Sequence, residues 1–220
     1  MNKNKISFLA LALTSSSLFA GSMGMAPSEK LFILEGGVSY SHTFYKNNVV
    51  FPESYTAVTP TGFSINPSSF YPNDYFGGYA GLSFYFPDWL LNARYNLYGS
   101  ERKANNRAGT IIKLAPAKLT FTADKVWGNI NQLSYGLGGG AVIETVNKGY
   151  AQVALSTDNP PSESLAGRTH TAPLVEGFVM YRFANNFGTK FNVEYQIPTN
   201  NAFARGDLNL NLGINYAFPV

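Results

Sequence analysis

The segment Asp207-Leu-Asn-Leu-Asn-Leu-Gly-Ile-Asn-Tyr-Ala-Phe218 decides the fold of this chain. Its even-numbered positions carry Leu, Ile, Tyr or Phe, and its odd-numbered positions carry Asp, Asn, Gly or Ala. Alternate residues of a β-strand point to opposite faces, so the segment predicts a strand with one apolar face and one polar face. Its length is about that of a tilted strand that crosses a bilayer. The segment therefore indicates a transmembrane barrel strand or a sandwich strand with one face in a core.

The amino-terminal segment has the pattern of a secretory signal peptide. Lys3 and Lys5 precede a short apolar stretch, and small residues follow at 20–22. We expect residues 1–22 to be removed after export, by cleavage after about residues 20–22, and residues 23–220 to form the barrel. The chain contains no cysteine, which excludes a disulfide framework and a lipid anchor.

The composition fits a protein whose exterior faces lipid. Charged residues make up 13% of the chain, about half the usual share, whereas aromatic residues make up 15%. A wall that faces lipid needs no charged shell, which explains why charges are few although no long apolar helix is present. Lys3 and Lys5 supply two of the three net positive charges, so the net charge of +3 does not indicate nucleic-acid binding.

Similar alternation recurs along the chain. It predicts eight strands, at about 31–44, 75–86, 90–98, 118–127, 132–144, 174–183, 189–197 and 207–218. The connections between them are alternately long and short, and bacterial barrels likewise have short periplasmic turns and longer outer loops. We therefore predict an all-β fold, an eight-stranded antiparallel up-and-down transmembrane β-barrel.

Under this topology, bulky aromatic residues collect near the periplasmic rim. Aromatic side chains are enriched at membrane interfaces. The predicted periplasmic aromatic girdle comprises Phe32, Phe86, Trp89, Trp127 and Phe183, together with Tyr216 and Phe218.

The last strand and the architecture together resemble the small eight-stranded bacterial outer-membrane β-barrels, which include OmpA-type, OmpX-type and opacity-like surface proteins. The polar, glycine and aromatic positions of their C-terminal barrel-assembly signal are filled here by Asn211, Gly213, Tyr216 and Phe218. Family members usually end on the last aromatic residue, whereas Pro219 and Val220 follow here. The resemblance implies a monomer in the outer membrane of a Gram-negative bacterium, in contact with lipid, lipopolysaccharide and the barrel-assembly machinery.

Polar residues on the inward faces predict a filled lumen. Eight strands enclose just enough space for side chains, and buried charges need partners. The predicted lumen polar network comprises Glu35, Arg94, Glu176, Arg182, Lys190 and Glu194. We interpret it as a closed core of ion pairs, with a narrow channel for ions or an apolar solute as the alternative. Inward glycines such as Gly81 and Gly136 would seat bulky neighbours or leave room for a small ligand.

Catalytic and metal-binding patterns are weak. His42 and His170 are the two histidines, and neither lies in the His-x-Ser-Asn pattern of the small lipid A deacylase barrels. Neither forms a closely spaced pair that would bind a metal. We therefore predict no catalytic residue, metal or cofactor, and a lipid-modifying enzyme is the least favoured alternative.

The long connections are predicted to carry any binding function. The second one is rich in basic residues, including Arg102, Lys103, Arg107 and Lys118. Such residues either contact lipopolysaccharide phosphates, for which Arg102, Lys103 and Arg107 are the candidates, or form a solvated loop. The predicted function is a non-enzymatic surface protein with four outward loops, which supports the envelope and has adhesion to a host ligand as a further role.

Overall fold

The computed structural model describes residues 30–47, 49–50, 64–105, 110–153, 162–183, 186–199 and 204–220. The predicted signal peptide and its cleavage position lie outside these residues. No helix in the described ranges is both long and apolar enough to cross a membrane.

Eight long strands form a closed antiparallel ring. They are β1 (Leu31–Tyr45), β2 (Asp74–Phe86), β3 (Trp89–Tyr98), β4 (Thr110–Gly128), β5 (Leu133–Val153), β6 (Thr169–Arg182), β7 (Phe187–Gln196) and β8 (Ala204–Pro219). Each strand pairs with the next one in the chain, and β8 pairs with β1. The predicted eight-stranded up-and-down barrel is confirmed.

The seam between β1 and β8 closes the ring along its whole length. The register runs from Leu31 opposite Pro219 to Tyr45 opposite Ala204, with one irregularity near Tyr45. The ladder continues past the strand, because Val220 N–H donates to the carbonyl of Lys30 over 3.0 Å. The residues after Phe218 therefore take part in the closure of the barrel.

The alternation of the sequence becomes an apolar outside and an inside that is polar except near the turn end, where side chains such as Ile33, Leu90 and Met180 form a buried apolar cluster. On β1 the outward apolar segment runs from Phe32 to Tyr40, and on β2 it runs from Phe76 to Phe86. Comparable segments on the other strands complete an apolar belt about ten residues tall, which is the length that a tilted strand needs to cross a bilayer. Residues outside this belt lie beyond the membrane-spanning segments.

Short connections collect at one end of the barrel, here called the turn end, and the long ones at the other, the loop end. The turn end contains a tight turn at Asp88, which has a φ of 72°, and another at Gly128, with a φ of 89°. In its described residues, the first long connection contains a 3-10 turn, Pro67–Ser69, and the short paired strands Val49–Val50 and Ser64–Ile65.

At the loop end, the strands extend further than the sequence predicted. Residues 110–117 and 145–153, predicted as loop, belong to β4 and β5. Short strands at Glu101–Asn105 and Ser162–Ser164 pair with these parts of β4 and β5. We call this four-stranded sheet the outer extension. The pairing shifts register here, from Ala115 opposite Lys148 to Pro116 opposite Val146, and leaves Asn147 of β5 without a partner in the ladder. This extra residue shifts the alternation of β5 and conceals the strand in the sequence.

We expect the loop end to face the cell exterior. The chain has no cysteine, so in each single-cysteine variant a thiol reagent reacts only at the introduced residue. On intact cells, a membrane-impermeant maleimide should label Ser69→Cys and Ser100→Cys, both exposed at the loop end, but not Gln132→Cys, exposed at the turn end. Labelling of Gln132→Cys only after permeabilisation is the control. The reverse pattern would show that the barrel is inserted the other way.

Candidate functional site

The middle of the lumen holds a cluster of charged side chains centred on Arg94 of β3. Its guanidinium donates to Glu176 Oε1 over 3.0 Å and also pairs with the second oxygen of that carboxylate. It lies 3.0 Å from Glu194 Oε1 and 3.8 Å from Glu35 Oε1. These carboxylates belong to β6, β7 and β1, so one guanidinium connects four strands across the lumen.

A second cation, Lys190 of β7, extends this central cluster. Its Nζ lies 3.1 Å from Glu35 Oε2 and donates to Asn92 Oδ1 over 3.0 Å. Asn92 also accepts from the hydroxyl of Ser83 over 2.6 Å, and its amide donates to the carboxylate of Asp124. Lys190 is thus both paired and hydrogen-bonded, as a buried charge requires, whereas the oxygens of Glu35 have ion-pair partners but no hydrogen bond to the described residues.

Lys118 forms a separate cluster nearer the loop end. It is 2% exposed, and its Nζ donates to Ser41, Asp207 and Asn209 over 3.2, 3.3 and 3.0 Å. Glu144 Oε2 lies 3.7 Å away. The prediction that Lys118 belongs to a basic outer loop is wrong, because β4 continues through it and turns its side chain inward toward two carboxylates.

Inward glycines make room for the central cluster. A Cβ at Gly81 would lie 2.8 Å from Arg94 Cγ and 2.9 Å from Glu35 Cγ, and a Cβ at Gly136 would overlap the ring of Phe178. Of the two interpretations offered by the sequence, the described residues support glycines that seat bulky neighbours.

The remaining predicted lumen residue, Arg182, lies apart from the central cluster. It is buried near the turn end, where its Nη1 donates to Asn131 Oδ1 over 3.1 Å. This hydrogen bond links β6 to the connection between β4 and β5.

The aromatic residues of the predicted girdle all lie at the turn end. Phe32 pairs in register with Phe218, and Phe86 pairs with Trp89. The remaining members of the set are Trp127, Phe183 and Tyr216, with Trp127 and Phe183 among the exposed side chains. Phe187 is not among the predicted girdle residues, but its ring centroid lies 4.7 Å from that of Tyr216.

The residues of the predicted assembly signal occupy both faces of β8. Asn211 and Gly213 are buried on the inward face, whereas Phe218 is exposed on the outward face and Tyr216 is partly exposed there. The hydroxyl of Tyr216 accepts from the amide of Asn186 over 3.0 Å. Their role in assembly stays a prediction.

The predicted lipopolysaccharide contacts divide between two faces of the outer extension. Arg102 pairs in register with Lys113, which lies on the face opposite the lumen mouth. Lys103 lies on the other face, where its Nζ donates to Asn73 Oδ1 over 3.0 Å. Arg107 lies outside the described residues.

Both histidines have hydrogen-bond partners that the sequence did not reveal. His42 Nδ1 lies 2.7 Å from Asp74 Oδ1, and the hydroxyl of Tyr40 donates to the same oxygen. These hydrogen bonds, that from Tyr40 first, lower the pKa of Asp74. The hydroxyl of Tyr40 also lies 3.5 Å from His42 Nδ1, so the three side chains form one hydrogen-bonded group at the loop end. Within the described ranges, no group of three His, Asp or Glu side chains could hold a metal ion.

Comparisons with known proteins support the fold. No protein-family model and no curated protein matches the chain. The outer-membrane protein OprG of Pseudomonas aeruginosa superposes with a TM-score of 0.56 at 12% identity, over 89% of this chain and 99% of OprG. The attachment invasion locus protein Ail of Yersinia pestis gives 0.49 at 15% identity, over 86% and 99%. Neisserial surface protein A gives 0.47 at 15%, over 86% and 97%. The similarity to OprG shows a shared fold, and the predicted resemblance to small outer-membrane β-barrels is confirmed.

Replacement of Arg94 tests the central cluster. Arg94→Ala would leave three buried carboxylates without their guanidinium partner, and such a loss costs about 3–5 kcal/mol. We expect a fall of that size in the free energy of unfolding, measured by denaturant titration in lipid vesicles. The matched control is Lys125→Ala, which breaks a 2.9 Å pair with Asp88 whose side chains are 36% and 64% exposed. Lys125→Ala should lower the free energy of unfolding by less than about 1 kcal/mol. Equal losses in the two variants would show that burial does not decide the strength of these ion pairs.

Proposed function

We propose that this chain is a non-enzymatic surface barrel in the outer membrane of a Gram-negative bacterium, with a lumen closed to ions. The observation that carries the proposal is the bridge that Arg94 makes to Glu176 and Glu194 across the lumen. A permeating ion would have to separate these buried pairs, at a cost of several kcal/mol. The barrel then supports the envelope, and any partner is bound at the loop end.

The apolar belt supports the membrane location. Large apolar side chains such as Val38, Leu137 and Ile214 are more than three-fifths exposed. A soluble protein would pay for such a surface, whereas in lipid it is the required exterior. The polar groups face inward, which is the reverse of a soluble β-sandwich.

A basic surface on the outer extension supports contact with lipopolysaccharide. Arg102 and Lys113 are neighbours in register, and Lys148 pairs with Ala115 on the same face. Leu114, next to Lys113 on the same strand, lines the lumen mouth, so the three cations point away from it. They lie beyond the apolar belt, on the side where lipopolysaccharide phosphates surround a barrel.

Single-channel recording tests the closed lumen. The purified barrel in planar bilayers should give no sustained unitary conductance, because the charged clusters fill the lumen. A porin incorporated in the same bilayer is the positive control. Reproducible conductance steps from the wild-type protein would favour the channel alternative and reject the proposal.

Charge reversal on the outer extension tests the lipopolysaccharide contact. Arg102→Glu with Lys113→Glu should weaken binding of purified lipopolysaccharide at least tenfold and reduce its dependence on salt, because phosphate attraction is screened. Lys125→Glu, which alters a cation at the turn end, is the matched control and should leave binding unchanged. Equal effects of the two changes would reject a specific surface.

A further inference from the structure

The cations on the outward face of the outer extension are not used to hold the fold together. Arg102 and Lys148 are exposed, and Lys113 is half-buried. In the described part of the chain, none of these three side chains forms an ion pair or a hydrogen bond. By contrast, Lys125 and Lys190 each pair with a carboxylate. The three outward cations are therefore available to a ligand.

The acidic residues of the outer extension stand at the alternate register positions. Glu101 pairs with Leu114, and Glu163 pairs with Ala151. Leu114 lines the lumen mouth, and so does Arg168, a further cation at this end of the barrel. These positions belong to the inward face. Among the described residues, the outward face of the extension thus carries three cations and no carboxylate.

An aromatic ring continues the line of cations. Tyr150 of β5 lies directly opposite Lys113 of β4. Arg102 lies opposite Lys113 on the other side, and Ser164 lies opposite Tyr150. These four side chains form one row across the four strands, here called the outward row, and its first three members span about 10 Å. Lys148 lies two residues before Tyr150 on the same face, about 7 Å along the strand.

The ring of Tyr150 is open to a ligand. It is 36% exposed, and among the described residues it neither packs on another ring nor lies beneath a cation. Tyrosine combines apolar ring faces with a polar tip, and the C–H face of a sugar ring packs on such a surface. The neighbouring guanidinium binds phosphate through two parallel hydrogen bonds, and an ammonium group adds a point charge. The outward row thus offers adjacent places for a phosphate and a sugar ring.

The outward row stands well above the apolar belt. Lys113 lies six residues past Leu119, the last large belt residue of β4. This separation is about 20 Å along the strand. With a strand tilt of about 40°, it gives a rise of about 15 Å above the belt. The phosphates on the membrane anchor of lipopolysaccharide lie at the edge of the belt, so the outward row faces the sugars above the anchor.

We propose that the outward row binds a phosphorylated sugar of lipopolysaccharide, above its membrane anchor. The phosphate lies between Arg102 and Lys113, Lys148 adds to its attraction, and the sugar ring packs on Tyr150. This assignment rests on the lipopolysaccharide contact proposed above and specifies which part of that molecule is bound.

Three small probes separate the phosphate from the sugar ring. In calorimetric titration of the full barrel in detergent, glucose phosphate should bind about tenfold more tightly than glycerol phosphate, which has no ring to pack on Tyr150. Glucose should bind most weakly, because it has no charge. Equal affinity for the two phosphates would overturn the proposal, and so would equal affinity for glucose and glucose phosphate.

Removal of the ring locates the preference to Tyr150. Tyr150→Ser should lower the affinity for glucose phosphate to that for glycerol phosphate. The matched control is Tyr181→Ser, which alters a tyrosine that is 51% exposed at the turn end. This control should keep the preference for glucose phosphate. A folded Tyr150→Ser variant that also keeps it would contradict the assignment of the ring.

Lipid A, the membrane anchor alone, tests the height of the ligand. Tyr150→Ser should weaken binding of purified lipopolysaccharide about tenfold, because the ring contact is lost, and should leave binding of lipid A unchanged. An equal loss for both would show that the outward row binds the anchor, and would reject the proposed sugar above it.

The charge-reversal variant distinguishes this assignment from the contact on which it rests. If Arg102→Glu with Lys113→Glu weakens lipopolysaccharide binding and Tyr150→Ser does not, the basic surface stands and the sugar assignment fails. If charge reversal leaves lipopolysaccharide binding unchanged, the contact itself fails and the sugar assignment fails with it. A loss in both variants, with the preference for glucose phosphate absent only in Tyr150→Ser and in the charge-reversal variant, upholds both.

Discussion

Every backbone N–H and C=O group of this barrel that lies in lipid must find its partner within the sheet, because hydrocarbon offers none. A sheet with two free edges fails this requirement, and the register of β1 against β8, from Leu31 to Tyr45, meets it. Closure also explains why the last strand carries so regular a pattern. Both edges of β8 are hydrogen-bonded to neighbouring strands, one of its faces contacts lipid and the other lines the lumen.

Closure creates a second constraint, because the inward faces of the strands now surround a space from which bulk water is largely excluded. The polar residues that alternation places there must satisfy one another. Arg94 and Lys190 form ion pairs with the carboxylates of the central cluster, and Lys118 forms one with Asp207 nearer the loop end. Gly81 is part of the same solution, since a side chain there would occupy the space of Arg94 and Glu35. The middle of the lumen is thus packed with charge, whereas its turn end is packed with apolar side chains such as Leu31, Leu90 and Met180.

The sequence predicts those features of the fold that depend on a single strand. Alternation places eight strands and assigns Arg94, Glu176 and Glu194 to the inside, because period-two patterning needs no knowledge of the neighbouring strand. It does not predict which charges meet, since Arg94 and Glu176 are brought together only by the curvature of the ring. It misses the inward position of Lys118, and it misses the outer extension, where the extra residue Asn147 shifts the phase of β5. It also misses the partner of His42, because Asp74 follows a long connection.

The strands end at different heights at the loop end. The residues that stabilise the barrel and those available for binding therefore lie in different parts of it. β4 and β5 rise past the apolar belt on one side, whereas β3 ends at Tyr98 and β7 at Gln196. The raised side carries Arg102, Lys113 and Lys148 on its outward face, and Lys103 lies on its inward face. The three outward cations lie beyond the apolar belt, so this element can favour phosphate groups outside the barrel. Changes at these cations can alter that preference while the ion pairs around Arg94 hold the barrel closed.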